Sequence, residues 1–260
     1  MKNIYLIHIL IYFIVGCKNP NFINDSLLEK AVINGNLAQE SFKRSLSFTN
    51  AWLKFRDPES GLIPTNLSNK IDFWEPANSA ADNYPFMVLT AYLLDKELYR
   101  GILEDMLNSE IKLTSRVGSL PDIYSFTKKD FKNEKVDMGN IIFGASEYVK
   151  DGLMPLNEFI GPSPWQDRMI DIVENLYTHI NDFGSLEKYF KKSNNIEEIN
   201  GEMLQTLSRV YWMTGNQKYL NWAIKIADHY LLESDFSKVE YLKLRDHGCE
   251  IIGGLSELYM

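Results

Sequence analysis

Two cysteines, Cys17 and Cys249, are all that the 260 residues contain, so a disulfide framework is excluded and the body must be held by its apolar core. Positive charge is also scarce: 27 Lys and Arg stand against 35 Asp and Glu, giving a formal charge of −8. No basic stripe exists that could displace counterions from phosphates, which excludes nucleic acid as the expected partner. Neutral glycans suit such a surface, whereas an anionic polymer would require a local cluster of Arg and Lys. No sustained period-two run of β-branched residues appears, which argues against a large sheet. The one long apolar run, Ile4 to Val15 with His8 inside it, is too short to span a bilayer comfortably. No His-Glu-x-x-His motif or other complete ligand spacing is present, so neither a catalytic metal nor a cofactor is expected.

What is present begins with that apolar run. Met1-Lys2-Asn3 forms a short positive n-region before it, and Gly16 places a small residue ahead of Cys17. The segment Ile14-Val15-Gly16-Cys17 resembles the lipobox of bacterial lipoproteins. The resemblance implies removal of residues 1–16, acylation of Cys17 with palmitate-type chains, and export to the periplasmic or cell-surface side of a membrane. Lys18-Asn19-Pro20-Asn21 stops the run, and residues 17–36 read as a polar tether. Residues 37–260 are long enough, with 45% of the chain apolar, to bury one substantial core.

Within that body the apolar spacing is helical. Leu37, Phe42, Leu46, Phe48, Ala51, Trp52 and Phe55 predict a helix that stops at Arg56-Asp57-Pro58-Glu59-Ser60-Gly61. Further helices are predicted over 79–94, with Pro85 in a first turn, and over 96–112. From Leu113 to Phe159 the pattern weakens among Gly118, Pro121, Gly139, Gly144, Gly152 and Pro155, and short helices with long loops are expected. Regular helices resume over 164–180, 199–213, 217–232 and from Asp246 to the end. Thr214-Gly215-Asn216 between two amphipathic runs predicts a helical hairpin. The chain closes inside an apparent helix without a cap or a polar tail, which sets the expectation of a shortened relative of a longer architecture.

Hairpins in series suggest an array of αα units. Arg56 to Pro64, Trp74-Glu75-Pro76-Ala77-Asn78-Ser79-Ala80-Ala81-Asp82-Asn83-Tyr84-Pro85, Asn200-Gly201-Glu202, Tyr211 to Gly215 and Leu244-Arg245-Asp246-His247-Gly248-Cys249-Glu250 carry a further resemblance. They are similar to the six-hairpin, or (α/α) toroid, glycosidase superfamily, whose hairpins ring a carbohydrate-binding funnel. The resemblance implies an all-α fold of helical hairpins. The visible runs do not fill such a ring, so an incomplete toroid is expected. It also implies a carbohydrate substrate, with a glycoside hydrolase favoured over a polysaccharide lyase and over a non-catalytic, glycan-capturing lipoprotein.

Glycoside hydrolysis needs two carboxyl groups across the scissile bond. Asp82, at a helix entry beside Asn83 and Tyr84, is the first candidate, although an Asp at such a place more often caps backbone amides. Asp246 and Glu250 are four apart and share a helical face, with Arg245 and His247 beside them. A capped, salt-bridged helix start explains that cluster equally well. Glu202, Gln205 and Arg209 form a polar stripe on one helix, whose commoner explanation is a solvated face. The expected catalytic residues are therefore Asp82, Asp246, Glu202 and His247. The expected substrate-binding residues are Trp74, Asn83, Tyr84, Trp165, Arg168, Arg245 and Glu250, with Trp74 and Trp165 as stacking platforms. Trp52, Trp212 and Trp222 fall in helical apolar patterns and are assigned to the core. In a lyase, His247 or Tyr84 would abstract the proton at C5 of a uronate while Arg245 and Asn83 neutralise its carboxylate.

Overall fold

The computed structural model describes residues 25–68, 72–181, 183–190, 195–233 and 249–260. These are predominantly α-helical, with helices stacked on one another. The predicted leader, Cys17 and the Arg245-Asp246-His247 segment lie outside the described residues.

The chain divides into two units, Met1–Arg44 and Ser45–Met260. Helix α1 runs Asp25–Trp52, so the helix begins at Asp25 rather than at Leu37, and the second half of the expected tether is helical. Glu29, Lys30 and Ala31 are strong helix formers, and no proline follows Pro20 before Pro58. All side chains from 26 to 44 are exposed, Leu27, Val32 and Leu37 among them. Among the described residues no helix is long and apolar enough to cross a membrane.

In the second unit, α2 (Tyr84–Leu94), α3 (Lys96–Leu98) and α4 (Glu104–Thr114) are followed by α5 (Met138–Glu147), α6 (Met154–Ile160) and α7 (Pro164–Tyr177). Helices α8 (Asn195–Thr214), α9 (Gln217–Asp228) and α10 (Glu250–Tyr259) complete the described set. Ser163 starts α7 by accepting the Gln166 amide hydrogen bond, with Pro164 in the first turn. Trp165, Met169, Ile172, Val173 and Leu176 then turn to the core at helical spacing. The predicted hairpin of α8 and α9 is present. Gly215 takes φ +67°, a left-handed position that ends α8, and Asn216 caps α9 by accepting from the Lys218 amide at 3.0 Å.

Four wide turns of π-helical hydrogen bonding interrupt the helices, at Pro76–Asn83, Tyr99–Leu103, Tyr148–Leu153 and His229–Glu233. Such turns hold one extra residue and frequently mark functional sites. The strands are short. β1 (Phe73–Trp74), β4 (Tyr124–Ser125) and β5 (Asp130–Phe131) form an antiparallel sheet in the order β1-β4-β5, with Trp74 opposite Tyr124 and Tyr124 opposite Phe131. β2 (Ser115–Val117) and β3 (Leu120–Pro121) pair across a turn at Gly118.

The region from 113 to 159, expected as short helices and long loops, is more continuous. Met138–Ile160 is helical throughout, passing through the π turn at Tyr148–Leu153. Its glycines permit close approach rather than breaking the helix: a Cβ on Gly144 would lie 2.5 Å from Pro76 Cγ, and one on Gly152 2.9 Å from the Ala80 carbonyl oxygen. The tightest seam joins α8 and α10, where a Cβ on Gly201 would come within 2.4 Å of the Glu250 backbone. Gly201→Ala is expected to destabilise the unit by about 1–3 kcal/mol through overpacking. Urea unfolding checks this; an unchanged midpoint would mean that α10 yields without cost.

Candidate functional site

Four elements bring carboxyl groups together. Glu147 ends α5, Asp151 lies in the π turn that follows, Glu202 comes from α8, and Asp82 comes from the π turn at Pro76–Asn83. Carboxyl oxygens of Glu147, Asp151 and Glu202 all lie within 4.8 Å of one another. Glu202 is only 1% exposed, and its Oε2 meets no hydrogen-bond donor. A buried carboxyl group with one oxygen unpaired, beside two other carboxyl groups, is relieved by sharing a proton.

The electrostatics grade across the set. Burial, and then the charge of Glu147, pushes the Glu202 carboxyl well above the usual carboxylate range. Burial also raises Glu147 to about 7, with Asp151 and Glu198 adding in the same direction. Asp82 is raised by partial burial and by the charges of Asp151 and Glu75. On the other side stands Lys150, whose ammonium lies 2.9 Å from Asp151 Oδ1 and 3.0 Å from Glu250 Oε2. These carboxylates keep Lys150 charged despite its burial. A proton donor, a shared proton and an ion-paired carboxylate thus lie side by side, the arrangement that acid–base chemistry requires.

The oxygen spacing would also span a calcium-sized ion, which takes six to eight oxygens at about 2.3–2.6 Å. The Lys150 ammonium already occupies Asp151 and would have to give way to such an ion. Proton sharing is the better description of this donor set.

Raised carboxyl pKa values carry a pH consequence. Between its ordinary value of 4.5 and about 7, Glu147 holds a proton in the fold that the unfolded chain releases. The associated stability is complete below about 4.5 and is lost as pH rises through about 7. The melting temperature should therefore fall as pH rises over that interval, and Asp151→Asn, which removes a facing charge that raises Glu147, should flatten the fall. A melting series at several pH values that rises instead would refute the shared-proton description.

The residues predicted from sequence separate into groups. Glu202 lies in the carboxyl set, Asp82 lies near enough to Asp151 to feel its charge, and Glu250 reaches the rim of the set through Lys150. Asp82 sits inside a π turn, and the start of α2 at Asn83 shows no side-chain capping bond. The Glu202, Gln205, Arg209 stripe is not a solvated face: Gln205 bonds Glu250, and Arg209 Nε lies 2.8 Å from Glu257. Asp246, His247 and Arg245 lie outside the described residues.

Four residues expected to bind substrate are buried. Trp74 is 2% exposed and packs edge-on against Tyr148. Trp165 is fully buried, stacks on Tyr99 and donates from Nε1 to the Tyr84 hydroxyl at 2.9 Å. That hydroxyl in turn donates to the Leu103 carbonyl at 2.6 Å, and burial raises the phenol well above its ordinary pKa. Arg168 is 2% exposed and locked to Glu110. All four are buried, and the polar atoms of Trp165, Tyr84 and Arg168 are committed to internal partners. Conversely Trp212, assigned to the core, is 51% exposed.

Glu147, Lys150 and Asp151 were not singled out by the sequence reading. Their i, i+4 carboxylates in Glu147-Tyr148-Val149-Lys150-Asp151 were the available signal, hidden by glycines that read as loop. A cleft of about 500 Å³ bordered by Lys135, Asp137, Gly139, Lys188 and Tyr189 opens at the other end of α5. The helix rise puts it about 12 Å from Glu147, so it is not the mouth of the carboxyl set. Comparison with protein-family models, with curated proteins and with solved structures finds no match.

Proposed function

We propose that the chain is an exported, lipid-anchored carbohydrate-active hydrolase that cleaves a glycosidic bond with the carboxyl set. The observation that carries this reading is the convergence of Glu147, Asp151 and Glu202 carboxyl oxygens within 4.8 Å, with Asp151 paired to Lys150. Glu147, titrating near neutrality, protonates the leaving oxygen. Asp82, exposed on the facing segment, supplies the second carboxyl group that activates water. Glu202 is too buried to touch a sugar, and acts as a positioning residue that keeps a proton against Glu147. The sugar itself comes from the resemblance to the (α/α) toroid glycosidases, and an incomplete ring of helical hairpins belongs to the same proposal. Acylation at Cys17 rests on the lipobox-like Ile14-Val15-Gly16-Cys17.

The lyase reading loses one of its bases, since the Tyr84 hydroxyl is buried and bonded on both sides. A release screen of the chain from Lys18 onward against neutral and uronate polysaccharides tests the proposal. New reducing ends without a gain in ultraviolet absorbance are expected. Absorbance gain on uronates would replace the hydrolase by a lyase, and retention of a glycan without turnover would replace it by capture. For the anchor, Cys17→Ser should abolish palmitate labelling and shift the chain from the membrane to the soluble fraction.

A further inference from the structure

Lys150 is the cation placed against the carboxyl set, and two elements hold it. Its ammonium bridges Asp151 on its own turn and Glu250 in the first turn of α10. Its side chain is 16% exposed, so water replaces neither partner easily. α10 is itself fixed with little freedom, because Gly201 and Gly254 bring its backbone into contact with α8. Gln205, one turn beyond Glu202, donates to the same Glu250 carboxyl.

We propose that Lys150 is the positioning residue of the site: clamped by Glu250, it holds Asp151 as the carboxylate facing Glu147, so that the docking of α10 governs how many protons the set retains. The functional weight of this inference rests on the acid–base role proposed above, whereas its electrostatic core does not. The groups that face Lys150 and the set are Glu147 and Asp151 on its own segment, Asp82 and Glu75 from the π turn at Pro76–Asn83 and its entry, Glu198, Glu202 and Arg209 on α8, and Glu250 on α10. Arg209 is already engaged by Glu257 and lies 3.7 Å from Glu158, so among the described residues Lys150 is the cation with a direct bond into the set. Removing it leaves Glu147, Asp151 and Glu202 facing one another with no paired positive charge among the described residues. Protons then become the remaining means of neutralisation.

The decisive measurement is the titration of the side-chain carboxyl carbons by NMR on the folded chain, in which coupled groups report the apparent midpoints of the set. Lys150→Met should raise the midpoint near neutrality by about one unit or more, a tenfold gain in proton affinity, and Lys150→Arg should restore it. Glu250→Ala separates positioning from simple charge. Bare loss of a nearby carboxylate would lower the midpoint, whereas release of Lys150 from its clamp raises it. An unmoved midpoint in Lys150→Met overturns the inference, and a lowered one in Glu250→Ala removes α10 from it. If the chain hydrolyses glycans, the alkaline limb of its rate profile, set by the proton on Glu147, should move with the midpoint and KM should change little. Hydrolysis present with unmoved titrations would sink this inference alone; shifted titrations without hydrolysis would sink the proposed activity and leave the positioning intact.

Discussion

Arg168→Ala is expected to cost the fold about 3–5 kcal/mol, the penalty for leaving one member of a buried ion pair without its partner. The Arg168 guanidinium donates from Nε to Glu110 Oε2 at 2.9 Å, from a second nitrogen to Glu110 Oε1, and from the third to the Ser119 carbonyl at 2.7 Å. Thr114 Oγ1 adds a donor to Glu110 Oε1 at 3.0 Å. Both charged side chains are 3% exposed or less, so water cannot take the place of the missing guanidinium. The substitution strands the Glu110 charge and leaves the Ser119 carbonyl short of a donor, which also weakens the turn after β2. Urea unfolding measures the loss. Replacing both partners by apolar residues, Glu110→Leu with Arg168→Met, should recover most of it, because no buried charge then remains. A loss under about 1 kcal/mol in Arg168→Ala would mean that the pair is open to solvent.

The second large effect is on turnover. Glu147→Gln should lower the rate of glycan hydrolysis by about 10²–10⁴-fold, the range lost with a general acid. It should leave the fold as stable as before or more so above neutral pH, since it removes a charge that burial disfavours. Asp82→Asn should lower turnover similarly, with a smaller stability gain, because Asp82 is the more exposed of the two. Parallel rate and melting measurements distinguish these outcomes from unfolding. Full activity in Glu147→Gln would remove the carboxyl set from the chemistry, whatever the fate of the fold.

The sequence was informative where a local rule had one physical meaning. Thr214-Gly215-Asn216 could only end one helix and begin another, because a left-handed glycine and a capping asparagine both demand it. Ser163-Pro164 likewise opened α7. It misled where one residue type serves two ends. Gly144 and Gly152 look like breakers in one dimension, yet their missing side chains let Pro76 and Ala80 approach. The continuous helical path carrying Glu147 and Asp151 was therefore expected as short helices and long loops, and these two carboxyl groups stayed hidden. Trp165 and Arg168 were misplaced for a related reason. Amphipathic side chains near a helix start suit a ligand site and a hydrogen-bonded core equally, and only the positions of Tyr84 and Glu110, distant in the chain, decide between them. Glu202 was found, but by its membership of a polar stripe whose partner, α10, no local pattern reveals.

The π turn at Tyr148–Leu153 makes architecture and chemistry separable by a single codon. Deleting one residue there would let the backbone close into ordinary α-helical bonding, with each residue beyond the deletion turned by about 100° about the axis. The helical path from α5 into α6 would survive such an edit. The register that sets Asp151 against Glu147 and Lys150 would not, so a shortened homologue could keep this scaffold while having no proton to share.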